Sequence, residues 1–385
     1  FDIPVGDMLN PVYATLNQIT AQMKEIGMTD KVFPPTQIEN EQFNFYREKE
    51  QETKLQLKQP IFNTDIYYNY KIKNELVEAE KADLQTVKRQ IIADIKTGYF
   101  NYLKASQMVE LLMQTKKLVS ENLRVNKKLY ENEKITKDNV YRAEAELSKL
   151  EQKIIVAKKN QKMAKAYFNF LLNRDLESEI EKIDAGTLES IIPGVETAQD
   201  KALENREELQ QIQNYSSAMQ YNVKRNRYKK APTIAAAIDY GFQGTEYQFD
   251  GESDFVLASI VLKWELFCGF QRKADLQMAK IDAEKSRLNY EEARQQIKLQ
   301  VIDAVFSLEV AQKGIATAKK QSQSAKQAFE LIEKKYKLGQ APLIEYIDAR
   351  TAKTNAEQNV IITLYDFYIK HAEFERITGS YPLSE

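Results

Sequence analysis

The residues of this chain that could carry out chemistry are few and far apart. It has one cysteine, Cys268, and one histidine, His371. That count excludes a Cys/His zinc site, a haem attachment and any catalytic pair that needs both residue types close in sequence. We interpret the two as structural, a small packed thiol and an imidazole on a helix surface.

Two carboxylates, Glu345 and Asp348, are three residues apart, which is one helical turn and one face of a helix. Spacing alone favours two solvated carboxylates. No nucleophile, base and orienting group occur together, and the sequence has no phosphate-binding glycine loop or metal motif. We therefore expect no enzyme, no catalytic residue, no cofactor and no metal site.

The composition favours long helices, because 385 residues contain only 12 glycines and 9 prolines. The 55 lysines and arginines nearly balance the 56 aspartates and glutamates, which argues against a nucleic-acid partner. No run of eighteen apolar residues occurs, so no transmembrane helix is predicted. The strands of a membrane barrel are shorter and alternate in polarity, and they remain compatible with this sequence.

A heptad seam runs through a proline-free stretch of the second half of the chain. Its positions are Val301, Val305, Leu308, Ala311, Ile315, Ala318, Ser322, Ala325, Phe329, Ile332 and Tyr336. The same rhythm occurs 206 positions earlier, at Ile95, Tyr99, Tyr102, Ala105, Val109, Leu112, Lys116, Val119, Leu123, Asn126 and Tyr130. The chain therefore contains an internal repeat.

A polar break and a returning seam follow each outgoing seam, which predicts two helical hairpins, at 63–175 and 268–380. Gly339 suits a left-handed helix end and Pro342 the first turn of the next helix. A further helix is predicted at 202–231, before the second pair of strands. An outgoing arm from Asp65 to Tyr130 would be roughly 100 Å long, which no compact globular domain accommodates.

The period changes from 3.5 to 2 ahead of each long helix. Alternating runs from Ile234 to Phe242 and from Val256 to Leu266 predict a β-hairpin within 232–267, with one apolar face. A matching strand is predicted within 43–62. Residues 1–42 contain four prolines, and we predict an irregular loop, the extracellular loop of a truncated first strand hairpin. We expect the sequence to begin inside that loop, after removal of any signal peptide.

The helices alone fit a structural or adhesive coiled-coil rod as well as a channel. The strand hairpin separates the two, since a rod does not need it and an isolated hairpin is marginally stable in water. Closure of several copies into a barrel would explain it, whereas the hairpin taken by itself fits a soluble sandwich edge equally well. A rod without transport activity is therefore the alternative hypothesis.

From about residue 42 to 383 the sequence resembles the TolC family of outer-membrane efflux channels. The motifs are Tyr336-x-x-Gly339 followed by Glu345-x-x-Asp348-Ala349, Arg206-Glu207-Glu208-Leu209 opening a helix, and Leu266-Phe267-x-Gly269 where a strand becomes a helix. Each motif is weak evidence alone, and their occurrence in this order makes the resemblance stronger. The first copy departs from the pattern, with Glu133 where glycine is usual. Ala341 stands where some members carry a basic latch residue.

The resemblance implies a mainly α fold with a small β part. Long antiparallel helical hairpins would form a trimeric α-barrel, topped by a transmembrane β-barrel that three chains share. Residues 176–201 and 381–385 would form an equatorial region. The implied function is passive conduction from an inner-membrane RND or ABC transporter and a periplasmic adaptor, in efflux or type I secretion. The implied location is the outer membrane and its lipid, extending into the periplasm.

The resemblance also implies roles for particular residues. Around a threefold axis the carboxylates would form acidic rings that attract cations at the periplasmic gate. These are Glu345, Asp348 and, from the first repeat, Asp138. The hairpin tip would comprise Tyr336, Gly339 and Tyr130, where packing is the default role of the tyrosines and gating the sharper hypothesis. Trp264, Tyr240 and Phe242 would belong to the membrane aromatic girdle, with a soluble core as the alternative.

Overall fold

The structure, a computed structural model, describes residues 2–31, 36–42, 49–182, 192–381 and 383. The order is β1 (Asp2–Ile3), α1 (Val5–Glu25), β2 (Glu41–Gln42), β3 (Gln51–Phe62), α2 (Thr64–Glu131), α3 (Lys137–Leu171), α4 (Val195–Asn205), α5 (Glu207–Tyr228), β4 (Thr233–Gly244), β5 (Asp254–Lys263), α6 (Gln271–Lys337) and α7 (Leu343–Thr378). This is the mainly helical fold with a small sheet that the sequence predicted. Two compact units result, Phe1–Thr64 with Lys230–Leu266, and Asp65–Lys229 with Phe267–Glu385.

The heptad seams form the core of the helical unit. Every predicted seam position of α6 is at least partly buried, and Val301, Val305 and Leu308 are fully buried. In α2 the same holds for every seam position except Tyr130. Each outgoing helix packs antiparallel against its return helix, as ion pairs of Lys116 with Glu151 at 2.8 Å and Lys127 with Glu144 at 2.9 Å show for α2 and α3.

The internal repeat extends to the backbone geometry of the helix ends. We call residues 132–136, between α2 and α3, the first interhelical turn, and residues 338–342, between α6 and α7, the second. Glu133 has φ 58° and Gly339 has φ 71°, both left-handed. The N–H of Glu133 donates to the Tyr130 carbonyl at 2.9 Å, and that of Gly339 donates to the Tyr336 carbonyl at 3.0 Å. Both turns therefore close their helices by the same left-handed cap.

The helix predicted at 202–231 is two helices, which corrects the sequence interpretation. The chain is extended at Arg206, with φ −79° and ψ 119°, so α4 and α5 are separate. Arg206 is buried, and its Nε donates to Glu208 at 3.0 Å while its Nη1 donates to Gln300 at 2.5 Å. Satisfying this buried guanidinium positions the break. Burial alone would raise the pKa of Glu208, but the Arg206 partner outweighs it and holds that pKa below its usual value.

A second buried arginine connects α2 to α5 and to the end of the chain. The Nε of Arg89 donates to Glu207 at 3.0 Å, and its Nη1 donates to the carbonyl of Tyr381 at 2.9 Å. The Tyr381 hydroxyl donates back to the Arg89 carbonyl at 2.9 Å. Parts of both predicted equatorial segments, residues 183–191 and residues 382, 384 and 385, lie outside the described residues.

The strands form one antiparallel sheet in the order β3, β4, β5. The register places Ile238 opposite Ala258 and Leu57, so the predicted apolar residues share one face. Strand β5 ends at Lys263, earlier than the predicted Leu266. Lys263 pairs with Thr233, the first residue of β4, and Pro232 before Thr233 has no N–H to continue the ladder. Residues 43–48 of the predicted first strand lie outside the described residues.

The irregular loop predicted for residues 1–42 is wrong in its secondary structure. Residues 5–25 form the helix α1, which tolerates the exposed Pro11, and the strand residues of β1 pair with those of β2. The prolines at both ends of this segment suggested a loop, but apolar residues recur in helical rhythm between them. Among the described residues, no helix is both long and apolar enough to cross a membrane.

The shared cap geometry makes a paired prediction about the two interhelical turns. Gly339→Ala should lower the free energy of unfolding by about 1 kcal/mol, because a side chain is strained at positive φ. Glu133→Gly should raise it by a few tenths to about 1 kcal/mol, by relieving the same strain. Thermal unfolding of both variants checks this. Shifts of the same sign would contradict the equivalence of the two turns.

Candidate functional site

Tyr336 holds together the helices that meet at the second interhelical turn. Its hydroxyl donates a hydrogen bond to Oδ1 of Asn126 at 3.0 Å, which links α6 to α2. Its ring stacks on Tyr346, with centroids 4.9 Å apart, which links α6 to α7. Phe329 and Leu343 complete a small buried cluster beneath these rings. One side chain thus bridges three helices.

Asn126 makes this bridge possible because its amide is satisfied on both sides. It is almost fully buried, and its Nδ2 donates to the carbonyl of Asn122 at 2.8 Å. Its oxygen is then available to accept from Tyr336. A buried amide left without one of these partners costs free energy, so the hydrogen bond favours this arrangement of the helices.

Tyr130, the repeat counterpart of Tyr336, does not share its environment. Its side chain is 41% exposed, and the described structure shows no hydrogen bond to it. The difference follows from the seam one turn earlier, where the first repeat has Asn126 and the second has Ile332. Of the two predicted tyrosines, only Tyr336 has a hydrogen-bond partner for its hydroxyl in the described structure.

The ring that stacks on Tyr336 is itself held in a neutral state. Burial, together with the nearby carboxylate of Glu333, raises the pKa of Tyr346 to about 12. Arg350 opposes this shift. The cluster therefore depends on an un-ionised phenol.

Arg350 makes a further connection between the two helical hairpins, from α7 to α3. It is buried, and its Nη2 donates to Glu146 at 2.6 Å. Its buried Nε has no described hydrogen-bond partner. A buried charge of this kind is costly to leave without its carboxylate. Contacts at Tyr336 and Arg350 together hold α6 and α7 against α2 and α3 near the turns.

The predicted acidic residues differ in their surroundings. Glu345 and Asp348 lie exposed on the first turns of α7, and no described cation is within ion-pair distance of either. Asp138 accepts a hydrogen bond from the Thr136 hydroxyl and lies 3.8 Å from Nε of Arg142. Its charge is therefore partly compensated. Two uncompensated carboxylates remain on one helix face beside the second turn.

The predicted girdle residues lie toward opposite ends of the strand hairpin. Tyr240 and Phe242 are near the end of β4, with ring centroids 5.8 Å apart, and Phe242 also meets Phe249 at 5.1 Å. Trp264 follows the last residue of β5, and its Nε1 donates to the carbonyl of Lys230 at 3.1 Å. It is therefore not on the strand where the alternation placed it.

The sequence interpretation missed Asn126, Tyr346 and Arg350 as parts of this site. Asn126 had a visible signal, a polar residue in a seam that is otherwise mostly apolar, which often fixes helix pairing. Nothing in the spacing of Arg350 indicated its partner.

In the described part of the chain, no three histidine, cysteine, aspartate or glutamate side chains converge on a metal position.

Solved structures that are similar to this chain include outer membrane proteins and channels. VceC of Vibrio cholerae is 15% identical, with a TM-score of 0.75, and the match covers 97% of this chain and 92% of that one. The CmeC channel of Campylobacter jejuni is 14% identical, with a TM-score of 0.74 and coverages of 96% and 82%. The open state of MtrE of Neisseria gonorrhoeae is 16% identical, with a TM-score of 0.72 and coverages of 98% and 85%. At these identities the likeness shows the fold.

No curated protein sequence matches the chain. The family model described as "Outer membrane efflux protein" matches residues 198–380, from α4 through α7. The match therefore relates the second part of this chain to that family. This match and the shared fold agree with the resemblance to outer-membrane efflux channels that the sequence motifs indicated, and the matched family is one of channels rather than of enzymes.

The Tyr336 bridge can be tested against Tyr130, the equivalent tyrosine of the first repeat. Tyr336→Phe should lower the free energy of unfolding by about 1 to 3 kcal/mol, because it leaves the buried Asn126 oxygen without a donor. Tyr130→Phe is the control and should change it little, since that side chain is exposed. Chemical denaturation measures both. Equal effects would contradict the bridge.

The neutral state of Tyr346 predicts a loss of stability in alkali. The raised pKa means that the folded state favours the protonated phenol, so this stability is complete below pH 10 and is lost as the pH rises toward 12. The loss attributable to Tyr346 should be about 2 to 3 kcal/mol. Unfolding from pH 9 to 12, compared between the natural chain and Tyr346→Phe, checks this. Identical pH profiles would contradict it.

Proposed function

We propose that three copies of this chain form one passive conduit for efflux or type I secretion, with a β-barrel in the outer membrane and an α-barrel that extends into the periplasm. A periplasmic adaptor and an inner-membrane RND or ABC transporter would supply the substrate and the energy, and the chain itself would catalyse no reaction. The main support for this proposal is that the sheet exposes an apolar face in a chain that also has helices of 68 and 67 residues.

The two faces of the sheet fit a barrel wall. One face presents Leu55, Ile238 and Ile260, and the exposed fractions of Leu55 and Ile260 are 77% and 76%. The opposite face carries polar side chains on β3 and β4, including Lys54, Gln56 and Asp239, and Ser259 on β5. It also carries apolar residues: Ala235, Ala237, Phe255, Leu257 and Val261. A lipid-facing side that alternates with a water-facing side is the pattern of a transmembrane barrel.

The edges of the sheet support closure by further copies. In the described sheet, β3 and β5 each have one hydrogen-bonded neighbour, so each leaves a row of backbone groups unpaired. Such groups cannot be left open within a bilayer. Pairing between neighbouring copies would satisfy them, whereas a coiled-coil rod would have no use for this sheet.

The helices support the same assembly. Apolar side chains remain exposed on α2 at intervals of seven residues, at Tyr70, Val77, Leu84 and Ile91. A repeat of seven is the spacing at which helices pack side by side. Such a stripe on a soluble surface favours contact with another helix, as a multi-chain α-barrel requires.

The second interhelical turn is the part that we propose as the periplasmic gate. Glu345 and Asp348 of three copies would form neighbouring acidic rings, with Asp138 a weaker contributor because Arg142 lies near it. The cluster of Tyr336, Tyr346 and Asn126 would hold α6 and α7 in one position. Opening would require these contacts to separate.

The barrel assignment predicts a difference between neighbouring residues. Ile260→Arg should cost roughly 2 to 4 kcal/mol of stability in a bilayer, because it places a cation against lipid. Ser259→Arg is the control and should be mild, since Ser259 is on the polar face. Unfolding of the reconstituted protein in urea gives both values. Equal losses of stability at Ile260 and Ser259 would contradict the barrel assignment.

The gate assignment predicts a charge-dependent conductance. Glu345→Gln with Asp348→Asn should lower cation selectivity and weaken block by trivalent cations, because removing the acidic rings removes the attraction. Acidification should act in the same direction. Glu110→Gln with Asp282→Asn, two exposed carboxylates within α2 and α6, is the control. Reversal potential and block are measured in planar bilayers, and an unchanged double variant in an intact trimer would exclude these residues as the gate.

A further inference from the structure

Helix α1 carries an apolar seam that remains exposed in the described part of the chain. Apolar residues follow one another at alternating steps of four and three, and the last of them directly follows the helix: Val5, Leu9, Val12, Leu16, Ile19, Met23 and Ile26. All of them except Val5 are exposed, from 37% of Met23 to 67% of Ile26. This is the spacing of a coiled-coil seam over three heptads.

The polar side of α1 is the side that attaches to its own chain. The side-chain amide of Asn10 donates to the Ile38 carbonyl at 2.9 Å, and the Ile38 N–H donates to Asn10 Oδ1 at 2.9 Å. The N–H of Asp7 donates to Asn40 at 3.1 Å. Gly6 packs so closely against the Ile38 carbonyl oxygen that a Cβ at this position would clash with it. Gly6, Asp7 and Asn10 lie opposite the seam on the helix, so anchoring leaves the apolar side free.

An amphipathic helix normally turns its apolar stripe toward its own core. In α1 the arrangement is reversed, and an exposed stripe of this length indicates a partner. The seam spacing identifies that partner as another helix with the same periodicity. A lipid surface is a poorer fit, because α1 has one basic residue, Lys24, and interfacial helices usually carry many.

The residue types along the seam favour more than two helices. In heptad notation Leu9, Leu16 and Met23 occupy the a positions, and Val12 and Ile19 occupy d. Leucine at a with β-branched residues at d favours three or four strands over two. The flanking g and e positions are uncharged: Met8, Tyr13, Thr15, Thr20 and Gln22. Identical helices can therefore associate in parallel without like-charge repulsion.

We propose that the α1 helices of three copies of this chain pack along this seam into a parallel three-helix bundle. The inference rests on the trimer of the proposed function and adds an interface to it. Identical helices related by threefold symmetry can meet only on the threefold axis. The bundle would therefore lie on the central axis of the conduit, in the path of the molecules that the conduit carries.

The test is crosslinking in the full chain carrying Cys268→Ser, so that an introduced cysteine is the only thiol. Leu16→Cys and Ile19→Cys on the seam are compared with Gln18→Cys, an exposed residue on the other side of the helix. Membranes are treated with a short bismaleimide. The seam variants should yield roughly fivefold or more covalent dimer than Gln18→Cys, because seam residues face their own copies. Equal yields at all three positions would overturn the proposal.

Three further measurements distinguish the other outcomes. Native mass of the detergent-extracted protein reports the trimer separately: a trimer without seam crosslinks overturns the bundle alone, whereas a monomer overturns the proposed function as well. A fluorophore on Leu16→Cys, quenched strongly by spin-labelled lipid in vesicles, would assign the seam to lipid and also overturn the bundle. Leu16→Glu with Ile19→Glu should abolish crosslinking at Met23→Cys while the trimer mass persists; undiminished crosslinking would contradict the seam contact.

Discussion

Close packing of each long helix against an antiparallel return helix is the interaction on which the rest of the molecule depends. Small residues make it possible: a Cβ at Gly98 would lie 3.0 Å from Cδ1 of Leu171, and Ala143 and Ala157 are buried in the facing seam. A helix of 68 residues meets its return helix along one stripe only. Its other faces must find partners elsewhere or remain in water, so a single copy leaves apolar stripes exposed.

The two repeats share this framework and differ where function is proposed. Both close their interhelical turns with a left-handed residue, yet only the second has a tyrosine that bridges to a buried amide. The uncompensated carboxylates are also in the second repeat, since Arg142 accompanies Asp138 in the first. Duplication thus supplied the scaffold, and substitution at a few seam positions made one turn chemically distinct from the other.

The periodic features were predictable from the sequence, and the features that depend on a specific partner were not. The seams of α2 and α6 and the shared face of β4 and β5 follow from spacing, because burial on one side imposes it. The separate fates of Tyr336 and Tyr130 depend on Asn126 across the interface, which a repeat alignment cannot show. The helix α1 was not predictable in the same way, because Pro4 and Pro11 at its start are typical of a loop and obscure its helical period. The early end of β5 was set by Pro232 in the neighbouring strand.

Three chains should together form one conducting pore. Native mass spectrometry of the protein extracted in detergent, followed by insertion of the same preparation into a planar bilayer, tests it most directly. We expect a particle of three times the chain mass of 44.6 kDa, and discrete conductance steps from that particle. A monomeric particle, or a trimer that never conducts, would contradict it.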